Sequence, residues 1–300
     1  MAIQNSLQKS KGNQRLGITA YLTGDAVKNQ INQVVGGKNG QRFISAIVSA
    51  VNTNPTLQEC TNQSILSGAL LGESLKLSPS PQLGHYYLVP FNDKNKGKVA
   101  QFQMGYKGYI QLAIRSGQYK KINVIAVKEG ELEYFDPLNE EIKINMMIDK
   151  WDEREAAPTI GYYAMFELVN GFRKAIYWSK AQMEAHALKY SPGYKKDRRD
   201  GSNHTFWSTD FDGMAYKTML RQLISKWGIM SIDMQSAIDA DMAVINEDGS
   251  KDYVDNDDSI IDAEPPQSAE PQPEPRQEAE KKPETTQQPT DAQMALFGNK

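Results

Sequence analysis

One cysteine, Cys60, occurs in 300 residues. That count excludes an internal disulfide framework and fits a reducing compartment. No apolar run approaches the ~18 residues needed for a membrane-spanning helix. The first residues, MAIQNSLQKSKGNQ, lack the apolar core of a secretory signal, so a cytoplasmic location without a membrane partner is expected. The three histidines, His85, His186 and His204, stand far apart with no H-x-x-x-H spacing, which denies a metal its ligand set. Residues 36–40, GGKNG, are not a phosphate loop, because the lysine is not followed by Ser or Thr and no buried strand precedes it. Neither GxSxG nor GxGxxG is present, and nothing around Cys60 reads as a nucleophile's setting. Metal-driven and ATP-driven chemistry each lack their first requirement, and no cofactor is expected.

What is present is a division of charge. The overall net charge of −3 conceals a stretch from Asn246 to Lys300 with 5 basic and 14 acidic residues, a net of −9. The rest holds 29 basic and 23 acidic residues, a net of +6. A basic body with an acidic tail suits a protein that handles nucleic acid. Half of the 14 prolines lie after Asn246, so residues 246–300 are expected to be a disordered tail. Residues 1–20 are expected to be a flexible lead-in and residues 21–245 a single α+β core, with 39% hydrophobic content in the chain as a whole to furnish its interior.

Periodicity places helices at 23–35 and 42–51, the second with Phe43, Ile44, Ile47, Val48 and Val51 on one stripe. Thr61 suits the N-cap of a third, whose Ser67, Gly68, Ala69 and Gly72 would let another segment approach closely. Residues 83–91 and 99–104 read as a hairpin with a lysine-studded tip, Ala100, Phe102 and Met104 facing one way and Gln101 and Gln103 the other. Residues 105–116 turn helical, with Tyr106, Ile110, Ala113 and Ile114 inward and a strand to follow. Asn170-Gly171 marks a second hairpin, and Ser179 with Gln182 a capping box. Residues 151–158 read as a polar connection and 191–204 as a long basic loop. A last helix over 210–227 completes the core.

Cations and aromatics alternate through residues 82–129, which points to a polyanion surface more than to a small-molecule pocket. Lys107, Gln111 and Arg115 recur at i, i+4 and i+8 on one face of their helix, and Lys217 and Arg221 share what reads as the outer face of the last helix. Lys94, Lys96 and Lys98 stud the hairpin tip, Lys120 and Lys121 open a strand, and Lys195, Lys196, Arg198 and Arg199 fill the basic loop. Any one row is ordinarily a solvated face. Several rows beside aromatic residues suit single-stranded nucleic acid, where cations hold phosphates and rings stack on unpaired bases. Tyr86, Tyr87 and Phe91 either stack on bases or fill the hairpin's core, and core is the expectation.

The runs LGHYYLVPF, GYKGYIQLAIRSGQ and MAYKTMLRQLISKW, in that order, resemble the RecT family of phage and prophage single-strand annealing proteins, over about residues 40–245. The resemblance implies an ATP-independent recombinase that coats single-stranded DNA as a ring or helical filament, pairs it with its complement and holds the annealed duplex. It implies an α+β core with a hairpin, and a partner exonuclease that exposes the strand in a bacterial cytoplasm. Carried onto this sequence, it makes Lys107, Arg115, Lys217 and Arg221 the foremost DNA contacts, with Lys107 and Arg115 on one groove wall and Lys217 and Arg221 on the other. Alternatives are a coating protein that does not anneal and a metal-dependent nuclease.

Near the end, Gln293-Met294-Ala295-Leu296-Phe297 resembles the Q-x-x-L-F peptide by which bacterial proteins dock on the sliding clamp. Gln293, Leu296 and Phe297 are therefore expected to recruit a host partner, either that clamp or a single-strand-binding protein. The acidic stretch is expected to compete with DNA for the groove.

Overall fold

Helix α4 (Asn62–Ser74) and the hairpin that lies across it are joined by the small residues expected to admit another segment. A Cβ at Gly72 would stand 2.3 Å from the Tyr86 ring, and one at Gly68 would stand 2.8 Å from Leu88 Cδ2. Close approach of helix to strand is possible only because those positions carry no side chain. The computed structural model describes residues 17–93 and 96–253.

In chain order, α1 (Ile18–Thr23), α2 (Asp25–Val35), α3 (Gly37–Thr53) and α4 (Asn62–Ser74) come first, with a 3₁₀ turn at Pro55–Glu59 before α4. Thr61 caps α4 by accepting the Ser64 amide. Residues 37–40 form the first turn of α3. Gly36, at φ +84°, makes the break.

Strands β1 (Tyr86–Asp93) and β2 (Gly97–Met104) form the expected antiparallel hairpin. Next come α5 (Tyr106–Arg115), β3 (Tyr119–Lys128), β4 (Leu132–Asp136), β5 (Glu141–Ile144), α6 (Trp151–Ala156), β6 (Thr159–Leu168) and β7 (Arg173–Ser179). Strands β3, β6 and β7 make an antiparallel sheet in that order, with β4 and β5 as a separate hairpin. Helices α7 (Lys180–Tyr190), α8 (Pro192–Asp200), α9 (Phe206–Thr209), α10 (Phe211–Trp227) and α11 (Ile232–Ala240) follow, then β8 (Val244–Ile245) and β9 (Lys251–Asp252). This is the expected α+β arrangement. The β8–β9 hairpin carries ordered structure past residue 245, where the acidic tail was expected to begin.

Two segments read as irregular are helical. Residues 191–204 contain α8, and the signals were there to be read: Ser191 accepts the Tyr194 amide, Pro192 opens the helix, and Gly201 ends it in the left-handed region at φ +68°. Residues 151–156 form α6 because Arg154 is drawn inside. Its guanidinium donates to the buried Glu131 carboxylate at 2.7 Å and to the Ala126 carbonyl at 2.9 Å. The inward face of α5 also differs from the expected one. Gly108, Tyr109, Leu112 and Ala113 are buried, and Ile114 is exposed. Helix α10 packs on both α5 and the β3-β6-β7 sheet, and one apolar core runs through α3, α4, the first hairpin, α5, the sheet and α10. Among the described residues no helix is long and apolar enough to cross a membrane.

Candidate nucleic-acid interface

Period-two alternation divides the β1–β2 hairpin into two faces. Tyr86, Leu88 and Pro90 pair with Met104, Phe102 and Ala100 on the face turned to α4, where the Tyr86 ring stacks on Phe102 at 4.9 Å. Tyr86 is thus core, as expected. Tyr87, Val89 and Phe91 pair with Gln103, Gln101 and Val99 on the other face. That second face floors a cleft of ≈ 660 Å³, with Phe91 in its lining and residues 204–207 and Met214 opposite. The Tyr87 ring packs beside Phe206, ring centroids 5.5 Å apart. Both glutamines face away from the core, as their alternation predicts, yet both are buried: Gln103 Nε2 donates to Gln101 Oε1, and Gln101 Nε2 donates to the Met242 carbonyl.

One buried carboxylate holds the far wall. Asp197 accepts from the Ser202, Thr205 and Ser208 hydroxyls and from the His204 and Thr205 amides. Burial alone would raise its pKa, but the Ser208 and Thr205 hydrogen bonds lead a set that holds it far below the usual carboxylate range. The charge on α8 therefore positions Phe206 and Trp207 on the cleft wall.

A smaller cleft of ≈ 100 Å³ adjoins the first, the two sharing Trp207, Met214 and Met242. Lys217, Arg221 and Asp241 line it. Here the expectation for Lys217 is corrected. It does not lie on an outer face but is buried, its ammonium 2.8 Å from an Asp241 oxygen. The reason is Asp241 itself, which also accepts from the Met104 amide at 2.9 Å and the Tyr109 hydroxyl at 3.1 Å. A buried carboxylate needs a counter-charge, and Lys217 is the cation within reach. Burial, and then Asp241, push the Tyr109 hydroxyl well above its ordinary pKa, so it remains a donor. Arg221 stands farther out, its Nε 3.9 Å from Asp241 and its side chain 44% exposed.

The remaining cations do not gather on these clefts. Lys107 is exposed on α5, its ammonium 5.9 Å from the Tyr106 ring centroid, with no carboxylate partner among the described residues. Arg115 donates to the Leu75 carbonyl at 2.6 Å and the Lys76 carbonyl at 3.3 Å, capping the end of α4. Gln111, half-buried, lies between them. Lys107 and Arg115 flank His85, whose pKa is lowered by burial first and then by Arg115 and Lys107. They form a positive patch of their own and line neither cleft, so they are not the wall that faces Arg221.

Lys98 lines the larger cleft but pairs with Glu59, and Lys96 pairs with Asp252. Lys120 and Lys121 both reach Glu167, at 2.5 and 3.7 Å. On α8, Arg198 lies 3.4 Å from Glu184 and Arg199 2.8 Å from Asp200, while Lys195 and Lys196 are exposed with no ion pair among the described residues. Lys94, Gln293, Leu296 and Phe297 lie outside the described residues. The sequence reading missed Asp241 and Phe206, which lie outside the cationic rows, and Asp197, which lies between Lys196 and Arg198 in the basic stretch. Asp241 follows a run of helix-forming residues and gives no local sign of burial.

The sequence pattern of the RecT family matches residues 41–257. The chain is 41% identical over 274 residues to the uncharacterized protein YqaK of Bacillus subtilis (strain 168), covering 88% of this chain and 87% of that one. It is 29% identical over 246 residues to the protein RecT of Escherichia coli (strain K12), covering 78% and 86%. The matched span contains all the residues named in the two clefts. The chain belongs to the RecT family of DNA-binding proteins that anneal single strands in recombination.

Proposed function

We propose that the chain anneals complementary single strands of DNA without ATP, acting as a ring or helical filament of identical copies beside an exonuclease that exposes the strand. The observation that carries this reading is that the family match spans the elements of both clefts. No covalent bond need break, since stacking and pairing in the product duplex drive the reaction. The protein's task is to hold phosphates while leaving bases free to find partners.

Phosphates fall in this reading to Lys107, Lys195 and Lys196, which are exposed with no ion pair among the described residues, and to Arg221, which stands 3.9 Å from Asp241 with its side chain 44% exposed. Lys96, Lys98, Lys120, Lys121, Arg198 and Arg199 would first have to leave acidic partners. Arg115 would have to release the end of α4. Lys217 contributes its charge from inside. Backbone contacts position a strand without reading its sequence, so sequence preference is weak. Residues 293–297 recruit the host through the sliding clamp.

Labelled complementary strands mixed without ATP test the reading. Duplex should form faster with protein than without it. Strands that are bound but pair no faster would make the protein a coat, and would overturn annealing.

A further inference from the structure

The smaller cleft holds a titratable group to which no role has fallen. His186, half-buried on α7, lines it together with Tyr190 of the same helix, Lys217 and Arg221 of α10, and Asp241. The imidazole packs on the rings of Trp178 and Tyr190, centroids 5.4 and 4.5 Å away. Its nitrogens make no hydrogen bond among the described residues. Charge in the cleft is unbalanced. Asp241, the one carboxylate in the lining among the described residues, is committed to Lys217, to the Met104 amide and to the Tyr109 hydroxyl. Arg221, 3.9 Å from that carboxylate, keeps 44% of its side chain exposed. Lys189, on the next turn of α7, also acts on His186, while β7 presents only the neutral Trp178 ring. Burial first, then Arg221 and Lys189, keep the imidazole neutral, since a proton would add a third positive charge beside those two. At ≈ 100 Å³ the cleft is far smaller than the ~300 Å³ of an ordinary ligand pocket, and suits a group of a few atoms.

We propose that the smaller cleft seats one phosphate of the bound strand, with the Arg221 guanidinium and a protonated His186 both donating to its oxygens. An anion reverses the electrostatics there. It favours the imidazolium that the neighbouring cations oppose, and it gives the ring an acceptor. Binding then takes up a proton, so affinity rises as pH is lowered from neutrality towards the free protein's value. Single strand and duplex present the same phosphates, so the contact leaves bases free and persists as they pair. This inference rests on the proposed single-strand function and adds a second donor to the Arg221 contact.

The test measures oligothymidylate affinity at fixed salt for the wild-type protein and His186→Gln. An imidazole returned in the complex to its ordinary value, about 6.5, predicts a gain of about 10-fold per protomer between about pH 7.5 and about pH 5.5. His186→Gln should lose most of that gain. Calorimetry in two buffers of different ionisation enthalpy reads the proton directly. Near about pH 6, the wild-type protein should take up more than about half a proton per protomer on binding, and His186→Gln should not. An unchanged unfolding midpoint at neutral pH confirms that the variant folds, and the wild-type uptake needs no variant. An equal gain in both proteins, or no uptake by the wild type, would overturn the assignment while leaving the single-strand reading intact. Failure to bind oligothymidylate at either pH would overturn that reading itself.

Discussion

The Lys217 ammonium and the Asp241 carboxylate meet 2.8 Å apart inside the protein, on the wall of the smaller cleft. Through that contact α10 is joined to the segment bordering β2, because Asp241 also holds the Met104 amide and the Tyr109 hydroxyl. Removing one member of such a pair leaves the other charged and buried. Lys217→Ala is expected to lose about 3–5 kcal/mol of stability in urea denaturation. Asp241→Ala should cost at least as much, since it also orphans two donors. A Lys217→Ala protein as stable as the parent would show that the pair is not structural.

Arg221 should behave differently. Its side chain is substantially exposed, so Arg221→Ala is expected to change stability by no more than about 0.5 kcal/mol. Its single-strand affinity should fall, and the slope of log affinity against log salt should become shallower by about 0.7, one phosphate contact's worth. Lys107→Ala is expected to do the same independently. Fluorescence anisotropy over a salt series measures both, and unchanged slopes would remove these residues from the interface.

His186 supplies a pH dependence. Burial first, then Arg221 and Lys189, bring its pKa down to about 4. The unfolded chain takes up a proton near the ordinary histidine value, about 6.5, while the folded chain resists until about 4. Between those values the unfolded state binds more protons, so folding stability falls as pH is lowered through that window. Urea midpoints measured from neutral pH to about pH 4 should decline, and His186→Gln should flatten the decline. Because Arg221 is one cause, NMR titration of Arg221→Ala should show the His186 pKa raised.

Gly72 tests the contact between α4 and the hairpin. A methyl there would stand 2.3 Å from the fully buried Tyr86 ring, which has no space to retreat into. Gly72→Ala is expected to lose about 1–3 kcal/mol by overpacking, despite alanine's better helix propensity. A thermal midpoint at or above the parent's would contradict that packing.

Much of this was legible beforehand, and the reason is local. The hairpin and its alternation, the capping box at Ser179, the Thr61 cap and the small face of α4 are all written in residues within a few positions of one another. The family resemblance was legible for a similar cause, since its motifs are short contiguous runs. Helix α8 was legible too, in Ser191, Pro192 and Gly201, but a high density of charge made it read as a loop. What the chain alone could not decide was which cations are free. Lys217 and Arg221 lie one helical turn apart and look alike in sequence, yet a carboxylate 24 residues beyond Lys217 draws it inside and leaves Arg221 partly in solvent. The same holds for Arg115, taken up by the carbonyls that end α4, and for Gln101, buried with its amide donating to the Met242 carbonyl. Charge and periodicity belong to the sequence. Partnership and burial depend on segments far apart in the chain, and only the tertiary structure brings those together.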